Sequence, residues 1–165
     1  MLRVALLFAV MVCANAAFAE APKELKVGDP VPDMTLKDQD GNDFKLSSLK
    51  DKQGIVLYFY PKADTPGCTK ESCGFRDDQK DINDKGYAVY GVSRDLPKDL
   101  KAFIEKFKMG FGMLSDPKGD LAAVFGFKPG ERKTAVIGKD GKLEHLYVKV
   151  DVMAHPKEVL ENLGK

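Results

Sequence analysis

Two cysteines lie five positions apart in the middle of the chain, at Cys68 and Cys73. A cysteine thiolate is a nucleophile, and two thiols can join in a disulfide, so this pair is the first candidate for chemistry in the sequence. A disulfide that closes so short a loop adds little stability, because the stabilisation grows with the length of the loop. The spacing therefore favours a catalytic pair over a structural crosslink.

Cys68 follows a Pro-Gly turn signal that separates an apolar run from a charged one. Residues 54–60 are predicted to form a buried strand, and residues 69–80 suit a helix. Cys68 then lies at or near a helix start, where free backbone N–H groups and the positive end of the helix dipole favour a thiolate. Thr65 could bring its hydroxyl group to the sulfur or to a bound oxyanion. Taken alone, Cys68 is as readily a small buried apolar residue, with Thr65 as a helix cap.

The spacing of the two cysteines adds a constraint. If one helix holds both, their Cα atoms are about 8.7 Å apart. A disulfide needs a Cα separation below about 7 Å, so the intact helix cannot close the bond. The first turn or two must unwind before Cys73 can condense with an oxidised Cys68. A catalytic cycle that passes through a sulfenic acid could use such a change.

The elements around this segment predict an α/β domain. Two continuous apolar runs, residues 54–60 and 87–93, indicate strands buried on both faces. Further strands are predicted at 31–36, 44–46, 113–115, 133–138 and 142–148, and helices at 69–80, 100–107, 121–125 and 156–163. The order β-β-β-α-β-α-β-α-β-β-α predicts a central mixed sheet flanked by helices, as in a thioredoxin-like fold.

The beginning of the chain has the features of an export signal. A short basic start with Arg3 precedes an apolar run at residues 4–12, and Ala17-Phe18-Ala19 matches a cleavage site. Residues 1–19 are predicted to be a signal peptide, and residues 20–165 the mature domain, exported to the periplasm or secreted. The alternative is a buried N-terminal helix or a membrane anchor. Cys13, the third cysteine, would be lost with the signal.

Charge and histidine spacing narrow the function classes. Removing residues 1–19 removes Arg3 and no acidic residue, which leaves 25 Lys plus Arg against 25 Asp plus Glu. This balance argues against nucleic acid or an anionic membrane as the main partner. His145 and His155 have no metal-ligand spacing with each other or with the cysteines. We expect no metal, haem or flavin cofactor.

The segment around Cys68 resembles a known family. Pro61, Thr65 and Cys68 match the Pro-x-x-x-Thr/Ser-x-x-Cys pattern of the peroxiredoxins. Residues 59–77, FYPKADTPGCTKESCGFRD, closely resemble the bacterioferritin-comigratory or peroxiredoxin Q branch, and shorter matches continue along nearly all of the mature chain. The resemblance implies that Cys68 is the peroxidatic thiolate and Cys73 the resolving thiol. It also implies that Thr65 hydrogen-bonds the peroxide and that Pro61 shields the thiolate.

The resemblance further places an arginine beside the reactive sulfur, before a late strand. Arg132 occupies that context here. Lys133 directly follows it, so the sequence leaves open which of the two cations lies beside the sulfur. A fixed cation would stabilise the thiolate and polarise the O–O bond. A solvated charge at the strand end is the alternative for Arg132. Glu71 either orients Arg132 or lies on a solvated helix face.

The function implied is that of a thioredoxin-dependent, atypical two-cysteine thiol peroxidase in antioxidant defence. It would reduce hydrogen peroxide and organic hydroperoxides, form a Cys68–Cys73 disulfide, and act as a monomer. Because export is predicted, its reductant would be an exported thioredoxin-like protein. One alternative is a thiol–disulfide oxidoreductase, which would want Cys-x-x-Cys. Another is a copper-binding module, which would add a histidine to the two cysteines.

Overall fold

The structure, a computed structural model, describes residues 25–165. The predicted signal peptide at residues 1–19 lies outside the described residues, as do the first five residues of the predicted mature domain. Within residues 25–165, no helix is long and apolar enough to cross a membrane.

The strands and helices follow one another in the predicted order. The strands are β1 (Thr35–Asp38), β2 (Asp43–Lys45), β3 (Gly54–Phe59), β4 (Tyr87–Ser93), β5 (Gly112–Ser115), β6 (Lys133–Ile137) and β7 (Leu143–Tyr147). The helices are α1 (Pro66–Asp84), α2 (Pro97–Phe107), α3 (Asp120–Val124) and α4 (His155–Asn162), and a short 3₁₀ helix covers Leu46–Leu49.

The seven strands form one mixed sheet in the order β2-β1-β5-β4-β3-β6-β7. Strand β4 pairs in parallel with β3 and β5, whereas the other pairs are antiparallel. The parallel pairs require crossover connections, which α1 and α2 supply. The predicted α/β fold, thioredoxin-like with a mixed sheet between helices, is confirmed.

Strand β3 lies in the middle of this sheet, and all six of its residues are buried. Because side chains alternate along a strand, β3 contributes to two apolar clusters. Val56 and Tyr58 join the cluster formed with α1, α2 and α4, whereas Leu57 and Phe59 join the cluster formed with α3. Both faces of the sheet are therefore covered, as the continuous apolar run predicts.

The predicted bounds of β1 and α1 are wrong for identifiable reasons. The first strand is Thr35–Asp38 instead of residues 31–36, because its register is set by pairing with β2, where Thr35 lies opposite Lys45. Helix α1 runs from Pro66 to Asp84 and is longer than the predicted 69–80. Proline is favoured in the first turn of a helix, since its missing N–H would be unpaired there in any case. The longer helix puts Cys68 fully inside its first turn.

Candidate active site

Cys68 is the third residue of α1, just after the loop that leaves β3. Its side chain is 1% exposed and belongs to the same apolar cluster as Tyr58 and Tyr60. Thr65, with an extended backbone, precedes the first helical residue, Pro66. The backbone N–H groups of a first helical turn point away from the helix and favour a negative charge near them. The helix start predicted for Cys68 is confirmed.

Arg132 is brought to this helix start by the sheet. Strand β6 pairs antiparallel with β3, so that Lys133 lies opposite Phe59, the last residue of β3. Arg132 directly precedes β6, and its Nη2 lies 3.2 Å from the Cys68 sulfur. Lys133 instead contacts the carboxylate of Glu131 at 2.6 Å and lies over the Phe127 ring. Of the two neighbouring cations, Arg132 is the one that reaches the thiol.

Glu71 lies one turn after Cys68 on α1 and accepts a hydrogen bond from Nη1 of Arg132. The Glu71 side chain is fully buried, and the Arg132 side chain is 19% exposed. Burial raises the pKa of Glu71 from its ordinary 4.5 to about 7, although the charge of Arg132 and their hydrogen bond act in the opposite direction. The guanidinium of Arg132 thus bridges a buried carboxyl group and the thiol. This arrangement excludes the solvated helix face as the environment of Glu71.

The loop between β3 and α1 carries Pro61 and Thr65. The Thr65 hydroxyl donates a hydrogen bond to the backbone carbonyl of Lys62 at 3.0 Å, which leaves its oxygen lone pairs for a further donor. Pro61 lies at the surface. The structure places both residues on the loop that leads to Cys68, and their roles toward a peroxide stay predictions.

Asp95 anchors this loop, and it was missed by the sequence interpretation. The Ala63 N–H donates to Asp95 Oδ2 at 2.7 Å, and the Ser93 hydroxyl donates to the same oxygen at 2.8 Å. Asp95 follows β4, the parallel neighbour of β3. The carboxyl ends of parallel neighbours meet at one edge of a sheet, so the position of Asp95 just after a predicted strand was the available signal. A second tie joins Asp64 to Lys106 of α2 at 2.7 Å.

Cys73 lies on the same unbroken helix as Cys68, and both are free thiols. Cys68 is buried, whereas Cys73 is half-buried. Between them, Ser72 is fully buried and accepts a hydrogen bond from the Tyr58 hydroxyl at 2.9 Å. Because five helical residues separate the Cα atoms by about 8.7 Å, the two sulfurs cannot bond while this helix is intact.

No group of three or more His, Cys, Asp or Glu side chains suited to a metal ion occurs in the described part of the chain. His155 is instead fully buried and contacts the Thr134 hydroxyl at 2.8 Å, while His145 stacks on Tyr147. Burial lowers the pKa of His155, which disfavours its charged form. These contacts of the two histidines are with Thr134 and Tyr147, and not with either cysteine.

A thioredoxin-like sheet that presents a buried thiol at a helix start, with an arginine against the sulfur, defines the peroxiredoxin class. Residues 27–146 match the AhpC/TSA family, and the chain belongs to this family.

Its relatives are Bcp and peroxiredoxin Q proteins. Peroxiredoxin bcp1 of Schizosaccharomyces pombe is 43% identical over 125 residues, which cover 75% of this chain and 64% of that protein. The chain thus spans less than two thirds of that relative. The putative peroxiredoxin bcp of Coxiella burnetii is 37% identical over 150 residues, covering 84% of this chain and 99% of its own length.

The solved structures agree with this assignment. The crystal structure of peroxidoxin BcpB from Mycobacterium tuberculosis superimposes with a TM-score of 0.79 at 36% identity. The match covers 85% of this chain and 97% of that protein. The resemblance to the Bcp and peroxiredoxin Q branch is therefore confirmed.

Proposed function

We propose that this protein is a thiol peroxidase that reduces hydrogen peroxide and organic hydroperoxides through Cys68. The contact between the Arg132 guanidinium and the Cys68 sulfur at the start of α1 carries this proposal. A thiolate beside a fixed cation is both stabilised and aimed at an approaching electrophile. Membership of the AhpC/TSA family, with peroxiredoxin relatives, supports the same activity.

In the first step, the Cys68 thiolate attacks one peroxide oxygen. An S–O bond forms as the O–O bond breaks, and the leaving oxygen departs as water or an alcohol after taking a proton. The sulfur is oxidised to a sulfenic acid and the peroxide is reduced. Arg132 stabilises the charge that develops on the leaving oxygen. The Thr65 hydroxyl, which already donates to the Lys62 carbonyl, accepts the peroxide O–H, and Pro61 shields the sulfur from water.

In the second step, the first turns of α1 unwind and Cys73 attacks the Cys68 sulfenic acid. The S–S bond forms, the S–O bond breaks, and the released hydroxide takes up a proton to become water. A thioredoxin-like dithiol then reduces the disulfide by thiol exchange. The half-buried position of Cys73 supports this route, since its thiol needs less rearrangement to become accessible than a fully buried one. The protein would act as a monomer and needs no cofactor for this cycle.

The same proposal includes export. The apolar run and the small residues before position 20 support cleavage after Ala19 and function in the periplasm or outside the cell. The reductant would then be an exported thioredoxin-like protein.

Peroxide consumption with a dithiol reductant tests the activity. Cys68→Ser should abolish turnover. Turnover that survives this change would contradict the assignment of Cys68 as the residue that reacts with peroxide. Cys73→Ser should still consume one equivalent of peroxide at the normal rate but recycle slowly. Mass spectrometry after one equivalent of peroxide should find the Cys68–Cys73 bond, and the mass of the protein isolated from its host should report cleavage after Ala19. Insulin reduction without peroxide is the control, because a general thiol–disulfide oxidoreductase would accelerate it.

A further inference from the structure

Helix α1 is attached to the rest of the protein in two distinct parts. Its first part, which ends near Cys73, is held by the hydrogen bonds of Arg132 to Cys68 and Glu71 and of Tyr58 to Ser72. Its second part also contacts Tyr58, through Phe75, and adds contacts to α2 and α4. The backbone of Gly74 is so close to α4 that an added Cβ would lie 2.7 Å from Pro156 Cγ. The boundary between the two parts therefore falls directly after the second cysteine.

Two polar side chains join the second part of α1 to the end of α2 and to the residues that follow it. Nη1 of Arg76 donates to the Phe107 carbonyl at 2.9 Å, and Nε2 of Gln79 donates to the Gly110 carbonyl at 2.7 Å. Phe107 is the last residue of α2, where carbonyl groups lack helical partners and favour a cation. Phe75 is fully buried and packs against Tyr58. The two hydrogen bonds from Arg76 and Gln79 do not involve the helix turn that carries Cys68.

Arg76 also lies beside the second thiol. Residues three apart on a helix are neighbours on one face, so Cys73 and Arg76 are adjacent along α1. The guanidinium is fixed from two sides, by the Phe107 carbonyl and by Asp77, whose Oδ1 accepts from Nε at 2.9 Å. The hydrogen bond to Asp77 is the main reason that the pKa of Arg76 is raised, and the charge of a Cys73 thiolate raises it further. The guanidinium is therefore held in place beside the Cys73 side chain.

We propose that Arg76 is the positioning residue of the resolving step. Its guanidinium group, fixed on the Phe107 carbonyl, presents a positive charge to Cys73 and keeps the second part of α1 in place while the first turns unwind. The inference rests on the proposed two-cysteine cycle. In that cycle the Cys73 thiolate forms the S–S bond with Cys68, and hydroxide leaves the sulfenic acid and becomes water on protonation. Arg76 therefore acts on the second step and not on the attack of Cys68 on peroxide.

The two effects of Arg76 have one geometric basis. If the whole helix came loose on oxidation, Cys73 would be carried away with it, and its encounter with the sulfenic acid would become slow. If only the first part unwinds, Cys68 moves toward a thiol that stays where it was. The hydrogen bond from Arg76 to the end of α2 lies three residues beyond Cys73. Unwinding must stop before this point if Cys73 is to stay in place.

The test separates the two chemical steps in time. The protein, reduced beforehand, is mixed with one equivalent of peroxide, quenched at intervals with a thiol-alkylating reagent, and analysed by mass spectrometry for sulfenic acid and disulfide. Mass detection is suited to this chain because it contains no tryptophan to report by fluorescence. The variants are Arg76→Gln and Arg76→Lys. Lys80→Gln is the matched control, because Lys80 is an exposed cation on the same helix that pairs with Asp84.

We expect Arg76→Gln to slow disulfide formation by about three- to tenfold, the loss that one partly exposed cation and one hydrogen bond allow. The appearance of sulfenic acid should keep its wild-type rate. Arg76→Lys, which keeps the charge, should restore most of the second rate, and Lys80→Gln should change neither rate. An Arg76→Gln protein that slows both steps alike, or neither step, would overturn the inference. If neither sulfenic acid nor disulfide forms in the wild-type protein, the proposed peroxidase function itself fails. This outcome is distinguishable from failure of the inference about Arg76, which shows only in the Arg76 variants.

A second measurement needs no variant. Amide hydrogen exchange is compared between the reduced protein and the protein oxidised with one equivalent of peroxide. Residues 66–73 should lose protection on oxidation, whereas residues 77–84 should keep it. Loss of protection along the whole of α1 in the oxidised wild-type protein would show that the Arg76 tie does not hold, and would overturn the inference.

Discussion

Replacing Arg132 with methionine removes the guanidinium group that contacts Cys68 and keeps an unbranched side chain of similar length. The contact distance of 3.2 Å between Nη2 and the sulfur sets the scale of the loss. At this distance two unit charges attract by about 5 kcal/mol at an effective dielectric constant near 20, and by about 1.3 kcal/mol in bulk water. The expected net loss lies between these limits, because Arg132 is 19% exposed and shares its charge with Glu71.

Hydrogen bonds to charged groups contribute about 1.5–3 kcal/mol net. If the transition state for peroxide cleavage keeps this contact, Arg132→Met should lower the second-order rate constant of Cys68 oxidation by about 10- to 150-fold. Arg132→Lys keeps the charge but loses the fork that reaches Glu71 and Cys68 at once, and should fall between this variant and the wild type.

The rate constant is measured in a Cys73→Ser background, where oxidation of Cys68 is the only step observed. Lys133→Met is the matched control, since Lys133 is the neighbouring cation but contacts Glu131 and Phe127 instead. Circular dichroism and urea unfolding check that Arg132→Met is folded, because this change leaves Glu71 buried without its partner. A folded Arg132→Met protein that reacts within about twofold of the wild type would refute the reasoning, as would an equal loss in Lys133→Met.

Two further changes test the surroundings of the thiol. Burial raises the pKa of Glu71 from 4.5 to about 7, so the folded state binds this proton more tightly than the unfolded chain does. The free energy of unfolding should therefore fall by about 3 kcal/mol as the pH rises from 4.5, the ordinary pKa of a glutamate, to about 7, the pKa of Glu71 in the folded protein. Glu71→Gln should remove this part of the pH dependence in urea titrations, and an unchanged dependence would contradict the assignment. Asp95→Ala removes the acceptor of the Ala63 N–H, and should lower the rate constant for peroxide by about three- to tenfold through a less ordered loop. Asp95→Asn keeps an acceptor oxygen and should restore most of that rate constant, measured as oxidation of Cys68 in the Cys73→Ser background. Equal losses in both variants would contradict this reasoning and point to a role for the charge of Asp95.

The order of the strands and helices was predictable because each element has a local pattern. Strand β3 is a continuous apolar run, and it was placed correctly from residue 54 onward. The Pro-Gly pair before Cys68 indicated a nearby helix start, although α1 begins at Pro66 and not at the predicted residue 69. The Cα distance from Cys68 to Cys73 follows from helix geometry alone. The chain position of β1 was predicted less well, since its bounds depend on which residues of β2 and β5 lie opposite it.

The surroundings of Cys68 were decided by contacts between distant parts of the chain. Arg132 lies 64 positions after Cys68, and only the antiparallel register of β6 against β3 determines that it, and not Lys133, faces the sulfur. The burial of Glu71 and the tie from Asp95 to Ala63 likewise depend on how α1 and β4 meet the end of β3. Sequence by itself determined a thiol at a helix start with a second thiol too far away for a disulfide, because both facts follow from local backbone geometry. The tertiary structure alone decided which charges surround those thiols, because side chains from separate elements meet only when the sheet is assembled.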